Sequence, residues 1–411
     1  MKRLGLITVL LLLPTLVLAQ FRKNEVAIEF KYSDGCYTAF IQRGGEPTRK
    51  KVLLENGPAI DDISRNASLY DDRNSRQAYR LILAPLAQYL RKGDIIYFSP
   101  AGQLHFINLA ALTDDLGHRC FERYTFYRLS DISKPVNDEP LTPRYMPVVL
   151  YGGMNYWADP TLMNEQCWFL HEGPRHELFK DIKGWSVTDA DFGTAEDGTR
   201  AGFSTLTNSR GEIKFIYHLQ RAVSVVNTGP EALEERFKQD TRRDHPYVMH
   251  ISTHSFQTRI PPRSQTVGLT EEEIIYKSCG LLFSGAGHTL QGETMPYKMN
   301  DGLLYAEEIA KLDMHCCELV VVGACNTALG RVSQNGVIGL QSAFKKAGAK
   351  TLLLTLWSVN DRATSFFMQQ FYTYLFKGKS KYEAFARARQ DLIRSEDFND
   401  PVYWAPFILL D

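Results

Sequence analysis

The stretch Leu319-Val-Val-Val-Gly-Ala-Cys-Asn-Thr-Ala-Leu-Gly330 decides the fold that this sequence predicts. A short run of apolar residues without polar alternation is typical of a strand buried on both faces of a sheet. Small and polar residues follow the run at once, which indicates a loop at the carboxyl end of that strand. We therefore expect a central strand of a parallel sheet, with Cys325 just beyond its end.

Similar apolar runs alternate with helical patterns along the rest of the second half. We predict its strands at 148–151, 223–226, 247–252, 319–323, 351–356 and 407–410. Helical spacing of apolar residues predicts helices at 230–239, 336–347, 362–376 and 381–394. A further helix is predicted near Ser209, where Glu212 three residues later suggests a capping box. This alternation predicts an α/β fold in which helices flank a mostly parallel sheet.

The first half shows a different pattern of apolar residues. Short alternating or β-branched runs at 26–32, 37–42 and 94–98 predict strands, and they surround a helical stretch at 75–91. The α/β alternation begins after Pro143. Residues 157–207 are rich in Gly, Asp, Thr and Ser, which predicts an exposed insertion.

A histidine occupies the same kind of position as Cys325. His254 follows the predicted strand 247–252, and groups beyond the carboxyl ends of adjacent parallel strands converge on one crevice. Histidine activates a thiol near neutral pH, and the main-chain N–H groups of Cys325 and Ser255 are candidates for an oxyanion hole. Taken alone, each residue also has a structural interpretation, the cysteine as a small buried apolar side chain and the histidine as a hydrogen-bonded one.

Composition excludes several classes of function. The 411 residues are 44% apolar and 23% charged, which is the balance of a globular protein. Lys+Arg and Asp+Glu are both 47, so no net charge attracts the protein to nucleic acid. The seven cysteines include no Cys-x-x-Cys pair and no histidine at zinc-finger spacing, so we expect no metal site and no cofactor.

The first residues are typical of a secretory signal peptide. Met1-Lys2-Arg3 precedes an apolar run at 4–19, and Val17-Leu18-Ala19 offers a cleavage site before Gln20. The alternative is an uncleaved anchor, although a bilayer span needs ~20 apolar residues. We expect a periplasmic or extracellular protein without stable membrane insertion after cleavage, in which the odd number of cysteines leaves at least one thiol unpaired.

An ordered series of sequence blocks resembles the CHAT peptidases, relatives of separase and the caspases. The blocks include the stretch that ends at Gly330, and the others are His250-Ile-Ser-Thr-His254, Gly336-Val-Ile-Gly-Leu-Gln-Ser-Ala-Phe-Lys-Lys-Ala-Gly-Ala349, Leu356-Trp-Ser-Val-Asn-Asp361, Phe371-Tyr-Thr-Tyr-Leu-Phe-Lys-Gly378, Tyr403-Trp-Ala-Pro-Phe407 and Phe98-Ser-Pro-Ala-Gly-Gln-Leu-His-Phe-Ile-Asn108.

The resemblance implies a caspase-like fold and a catalytic dyad of His254 and Cys325. It also implies that 20–145 form a degenerate caspase-like subdomain beside a catalytic subdomain at 146–411, with 1–19 as the signal peptide. Ser255 departs from the family pattern, in which a glycine usually follows the histidine, and no tetratricopeptide repeats precede the domain.

The resemblance further implies a role for Asp361, because the similar aspartate of separase-like enzymes accepts the substrate's arginine. Carboxylate and guanidinium pair bidentately, which is a selective contact. The alternative is that Asp361 caps a helix that begins at Arg362. Trp357 is expected either to line the same substrate pocket or to fill the core.

These expectations combine into a secreted cysteine endopeptidase that cleaves proteins or peptides after a basic residue, Arg preferred. Exposed sites at Arg200 and Arg210 suggest self-cleavage within the insertion or just after it. An inactive pseudopeptidase that only binds peptide or protein is the second hypothesis. Acyl transfer by the same dyad is the third, because it uses the same thioester chemistry.

Overall fold

The computed structural model describes residues 21–66, 68–133, 136, 138–141, 147–164, 206–219, 224–243, 246–258, 266–296, 299–323, 330–333 and 336–411. Within these ranges, no helix has both the length and the apolar character needed to cross a membrane.

The strands of this part of the chain, in order, are β1 Glu25–Ser33, β2 Cys36–Arg43, β3 Lys50–Leu54, β4 Ile95–Ser99, β5 Thr125–Arg128, β6 Val148–Met154, β7 Ser224–Gly229, β8 Val248–Ile251, β9 Ser255–Gln257, β10 Cys279–Leu282, β11 Leu303–Tyr305, β12 Leu319–Val322, β13 Gly330–Ser333, β14 Gly336–Gly339, β15 Thr351–Thr355 and β16 Phe407–Leu410. The α-helices span Gly57–Ser64, Asp72–Ile82, Thr207–Leu219, Glu234–Arg243, Glu271–Tyr276, Ala286–Leu290, Ala306–Ile309, Leu340–Lys346, Asp361–Phe376, Lys381–Arg394 and Pro401–Trp404.

One 11-stranded sheet, in the order β3-β2-β1-β4-β5-β16-β15-β12-β8-β6-β7, runs through the molecule. Its described pairs are parallel except for β1 with β2, β2 with β3, and β15 with β16. Two small antiparallel sheets, β11-β10-β9 and β13-β14, lie beside it. The predicted fold class, a mostly parallel sheet flanked by helices, is therefore confirmed.

The two halves of the sequence form the two ends of this sheet. The strands β1 to β5 come from the first half, and β6, β7, β8, β12 and β15 come from the second. β16 joins them, because it pairs with β15 on one side and with β5 on the other, where Leu410 lies opposite Arg128. The seam between the halves is thus the β5–β16 pair.

Successive side chains of β12 point to opposite faces of the sheet and enter separate cores. Leu319 and Val321 belong to one apolar cluster, whereas Val320 and Val322 belong to the other. All four are fully buried. A strand with both faces covered has no solvent-facing position, which explains why its sequence shows no polar alternation.

The predicted helix 336–347 is wrong in its first turn. Gly336 to Gly339 form β14, which pairs with β13 in a hairpin, and the helix begins only at Leu340. Gly336 has a φ of 119°, a conformation that residues with a Cβ rarely adopt. The β-branched pair Val337 and Ile338 also favours a strand over a helix.

The predicted exposed insertion is also wrong at its start. Ala158 and Met163 are buried and pack against Leu233. Residues 165–205 lie outside the described part of the chain.

Candidate active site

His254 lies where the sequence places it, beyond the carboxyl end of β8. Its backbone N–H donates to the hydroxyl of Tyr156 at 3.3 Å, and its carbonyl accepts from the N–H of Leu282 at 2.9 Å. The Tyr156 hydroxyl also lies 2.9 Å from Oγ1 of Thr253, and its ring centroid is 5.5 Å from that of His254. The histidine is thus held at its backbone while its side chain stays partly exposed.

The strand that leads to Cys325 lies directly beside β8. β12 and β8 are parallel, Val322 pairs with Ile251, and the Gly323 N–H donates to the Ile251 carbonyl at 2.8 Å. His254 is three residues beyond Ile251, and Cys325 is three residues beyond Val322. Residues 324–329, and Cys325 with them, lie outside the described part of the chain.

A buried polar chain lies beneath these strand ends. Nε2 of His250 is 2.8 Å from Oε1 of Glu212, and Nδ1 of His250 is 3.1 Å from the hydroxyl of Tyr372. All three side chains are almost completely buried. A Cβ atom on Gly323 would lie 3.7 Å from the same Glu212 oxygen. The buried polar group therefore extends to Gly323, the last described residue before Cys325.

The Glu212 contact overturns the predicted capping box. The Ser209 hydroxyl donates to the carbonyl of Leu206 and accepts from the N–H of Gly153, while the Glu212 carboxylate binds His250. One signal for this pair is visible in the sequence: His250 lies inside an otherwise apolar strand. A buried imidazole requires polar partners, but the sequence does not say which residues supply them.

Ser255 is the first residue of β9 and lies opposite Leu281 of β10. It therefore sits at the edge of the small β11-β10-β9 sheet and is half-buried. The oxyanion role of its N–H group stays a prediction.

Asp361 connects two helices at their N-termini. Its Oδ2 accepts from the backbone N–H of Asn208 at 3.1 Å and from the Asn208 side-chain amide at 2.8 Å. Asn208 lies in the first turn of Thr207–Leu219, where a carboxylate also interacts favourably with the helix dipole. The cap of the helix Asp361–Phe376 is Asn360, whose side chain accepts from two first-turn N–H groups, so the predicted cap at Asp361 is wrong.

Trp357 packs at the boundary between both apolar cores. Its indole N–H donates to the Val402 carbonyl at 3.2 Å, and its ring stacks on Tyr70 with centroids 5.3 Å apart. The side chain remains partly exposed. Part of the indole is therefore engaged in packing, and its substrate role stays a prediction.

The exposure predicted for Arg210 is wrong. Arg210 lies inside the helix Thr207–Leu219 and is partly buried, because its stem packs over Gly153, where a Cβ atom would collide with it. Arg200 lies outside the described residues.

Five cysteines fall within the described part, and each carries a free thiol: Cys36, Cys120, Cys279, Cys316 and Cys317. Burial raises the pKa of Cys120 and of Cys317 to about 12 and that of Cys279 to about 11. In the same part of the chain, no three His, Cys, Asp or Glu side chains gather in a way that would hold a metal ion.

Sequence comparison finds short matches to much longer proteins. Tetratricopeptide repeat protein 28 of Homo sapiens is 34% identical over 108 residues, and that of Mus musculus is 33% identical over the same length. The aligned segment is 26% of this chain and 4% of each of those proteins.

Among solved structures, the Arg-specific cysteine proteinase gingipain R aligns with a TM-score of 0.40 and 7% identity, over 86% of this chain and 73% of that one. A complex of Porphyromonas gingivalis RgpB pro- and mature domains aligns with a TM-score of 0.37 and 7% identity, over 85% and 70%.

The broadest match is to a family. The CHAT domain matches residues 72–410, which include eight of the eleven strands of the large sheet, the histidine after β8 and the cysteine after β12. The chain therefore belongs to the CHAT domain family.

Proposed function

We propose that this protein is a cysteine endopeptidase in which Cys325 is the nucleophile and His254 is the acid and base. The observation that carries the proposal is the pairing of Ile251 with Val322 on adjacent parallel strands. Because His254 and Cys325 follow these two residues at equal distances along the chain, both segments leave the sheet at the same level.

In the proposed reaction, the imidazole of His254 takes the thiol proton as sulfur attacks the carbonyl carbon of the scissile bond. The tetrahedral oxyanion is stabilised by main-chain N–H groups, for which Ser255 and Cys325 remain the candidates. The protonated imidazole then donates to the leaving amine and a thioester forms. Water, deprotonated by the same imidazole, hydrolyses the thioester and regenerates the thiol.

We further propose that Asp361 binds an arginine on the acyl side of the cleaved bond. The carboxylate is partly exposed, and the contacts with Asn208 involve its Oδ2 atom. The two Asn208 donors hold Oδ2 and so orient the carboxylate, which favours a geometrically selective pair with guanidinium.

The decisive experiment measures hydrolysis of a fluorogenic peptide that ends in Arg. Cys325→Ala and His254→Ala should each abolish turnover, whereas Cys316→Ala, which removes an exposed free thiol, should retain it. An Arg-bearing acyloxymethyl ketone should label the wild type at Cys325, as located by mass spectrometry. Turnover that survives in Cys325→Ala would exclude the mechanism.

A binding module without catalytic activity is the second candidate, and Ser255 favours it, because this residue adds a side chain beside the proposed oxyanion site at the start of β9. Such a module would bind an Arg peptide without cleaving it.

Acyl transfer by the same dyad is tested by its products. Product analysis by mass spectrometry separates hydrolysis from transfer of the acyl group to an added amine.

Export is also a proposal, supported by the apolar run at 4–19. N-terminal sequencing of the protein from a secreting host should begin at Gln20. Self-cleavage is proposed at Arg200 rather than within the helix that contains Arg210, and the same sequencing would detect the new terminus.

A further inference from the structure

A pocket lies at the seam between the two halves of the sheet. The helix Lys381–Arg394 covers it on one side and strands β4, β5 and β16 line the other. Its walls include four phenylalanines and two arginines: Phe98, Phe126, Phe385, Phe407, Arg128 and Arg389. Arg128 is buried and Arg389 is partly buried, and a charged side chain is rarely buried without a counter-charge.

Arg128 is 6% exposed, and its guanidinium is only half satisfied. Nη2 donates to the carbonyls of Leu104 and His105, whereas Nη1 is buried and finds no hydrogen-bond acceptor in the described part of the protein. Removal from water lowers the pKa of Arg128 to about 10. A buried cationic donor without an acceptor is costly, and such an atom calls for a ligand or another explanation.

Arg389 lines the same pocket from the helix. Its guanidinium lies 5.1 Å from the ring centroid of Phe121 and 5.8 Å from that of Phe385, and it forms no ion pair with any described carboxylate. Desolvation lowers the pKa of Arg389 to about 10 as well.

Another buried arginine of this protein, Arg43, has a carboxylate partner. Arg43 is 7% exposed and binds Asp94 through both terminal nitrogens, at 3.0 Å and 2.6 Å. The fold therefore supplies a carboxylate to this buried guanidinium. Arg128 has a similar exposure and no such partner among the described residues.

We propose that the pocket formed by Arg128 and Arg389 binds an oxyanion, a carboxylate or a phosphate group. Guanidinium groups bind both through charge-assisted hydrogen bonds, and these gain strength beside apolar walls that exclude water. The bound group would bridge β5, at the edge of the first half, and the helix that covers β16. Occupation of the site should therefore stabilise the contact between the halves of the sheet.

The test titrates inorganic phosphate, acetate and benzoate into the full chain by isothermal calorimetry at constant ionic strength, with chloride as the balancing anion. Arg389→Gln removes one cation from the pocket. Arg387→Gln is the matched control, because it lies on the same helix, is exposed and pairs with Glu383. The two variants change the net charge equally.

We expect saturable one-to-one binding of at least one oxyanion to the wild type and to Arg387→Gln. Arg389→Gln should weaken that binding at least tenfold, and the oxyanion should raise the melting temperature of the wild type but not of this variant. The phosphate and acetate arms identify the preferred group, and tighter binding of benzoate than of acetate would show that the phenylalanine walls contribute. Absence of saturable binding, or equal affinities in Arg387→Gln and Arg389→Gln, would overturn the proposal.

Discussion

Glu212 and His250 form a buried hydrogen-bonded pair, with Oε1 and Nε2 2.8 Å apart, on elements that flank the proposed active site. His250 lies in β8, four residues before His254, and Glu212 lies in the helix Thr207–Leu219. The pair thus links this helix to β8, the strand that leads to the proposed base. Loss of this hydrogen bond should therefore destabilise the helix and strand that flank the proposed site.

Glu212→Ala should lower the free energy of unfolding by about 1–3 kcal/mol, because it leaves the buried imidazole without one of its partners. Glu212→Gln keeps an acceptor oxygen and should cost clearly less. Urea denaturation of both variants measures the difference. An alanine variant within about 0.5 kcal/mol of the wild type, the range of an ordinary surface substitution, would contradict this role.

Cys325→Ala and His254→Ala should lower kcat/KM by similar factors, and the double variant should be no worse than either alone. The two groups act as one unit, so removal of either leaves no activated nucleophile. Peptide hydrolysis provides the rates, and circular dichroism verifies that each variant stays folded. A histidine variant with near wild-type turnover would show that another group is the base.

Asp361→Asn should lower kcat/KM for Arg peptides by at least about 100-fold, since it removes the charge that pairs with guanidinium. Asn208→Ala is the control: it removes one donor to Asp361 but leaves the carboxylate and the backbone contact in place. It should cost about 1 kcal/mol of stability and retain Arg selectivity. If Asp361→Asn cleaves Arg peptides normally and only melts earlier, the carboxylate serves the helix contact alone.

His105 should make the protein less stable in acid. Burial, together with the nearby Arg128 guanidinium, lowers the pKa of His105 to about 3 from its usual 6.5. The unfolded chain therefore binds the extra proton first, and stability falls as the pH drops from 6.5 toward 3, by at most about 1.4 kcal/mol per pH unit.

His105→Gln should flatten this part of the stability profile. His315→Gln is the control, because the His315 side chain is 79% exposed. Denaturant titrations at pH 7, 6, 5 and 4 provide the slopes. An unchanged slope in His105→Gln would show that other groups cause the acid sensitivity.

Iodoacetamide at pH 7.5 should modify Cys36 and Cys316 well before Cys120 and Cys317. The first two are exposed, whereas burial both shields the other two and raises their pKa to about 12, so little thiolate forms. Peptide mapping by mass spectrometry follows each thiol. Equal rates for the buried and exposed pairs would mean that the cores open on the labelling timescale.

The sequence predicted the second half of the fold well, because its strands are buried on both faces and its helices are amphipathic. The helix Lys381–Arg394 agrees residue for residue with its prediction, and the predicted strands reproduce β8, β12 and β15 to within two residues at each end. The position of His254 beyond β8 followed from the same pattern. A periodic pattern is local, so it can be read directly from the chain.

What the sequence could not predict depends on contacts between distant residues. The partner of Glu212 is a histidine in another element, and the neighbour of Asp361 is an asparagine 153 positions away. The hairpin β13–β14 was missed because its few residues continue the spacing of the helix that follows. The strand β5 is short and aromatic, and only its pairing with β4 and β16 identifies it.

The position of β16 has a consequence for how the chain assembles. Among the described strands of the large sheet, β16 is the last in sequence, yet it lies within the sheet, between β5 and β15. During synthesis, β5 and β15 therefore each keep one unpaired edge until residues 407–410 leave the ribosome. Unpaired strand edges can form hydrogen bonds with other chains. Slow synthesis of β16 should therefore increase aggregation, and rapid insertion of β16 between β5 and β15 should reduce it.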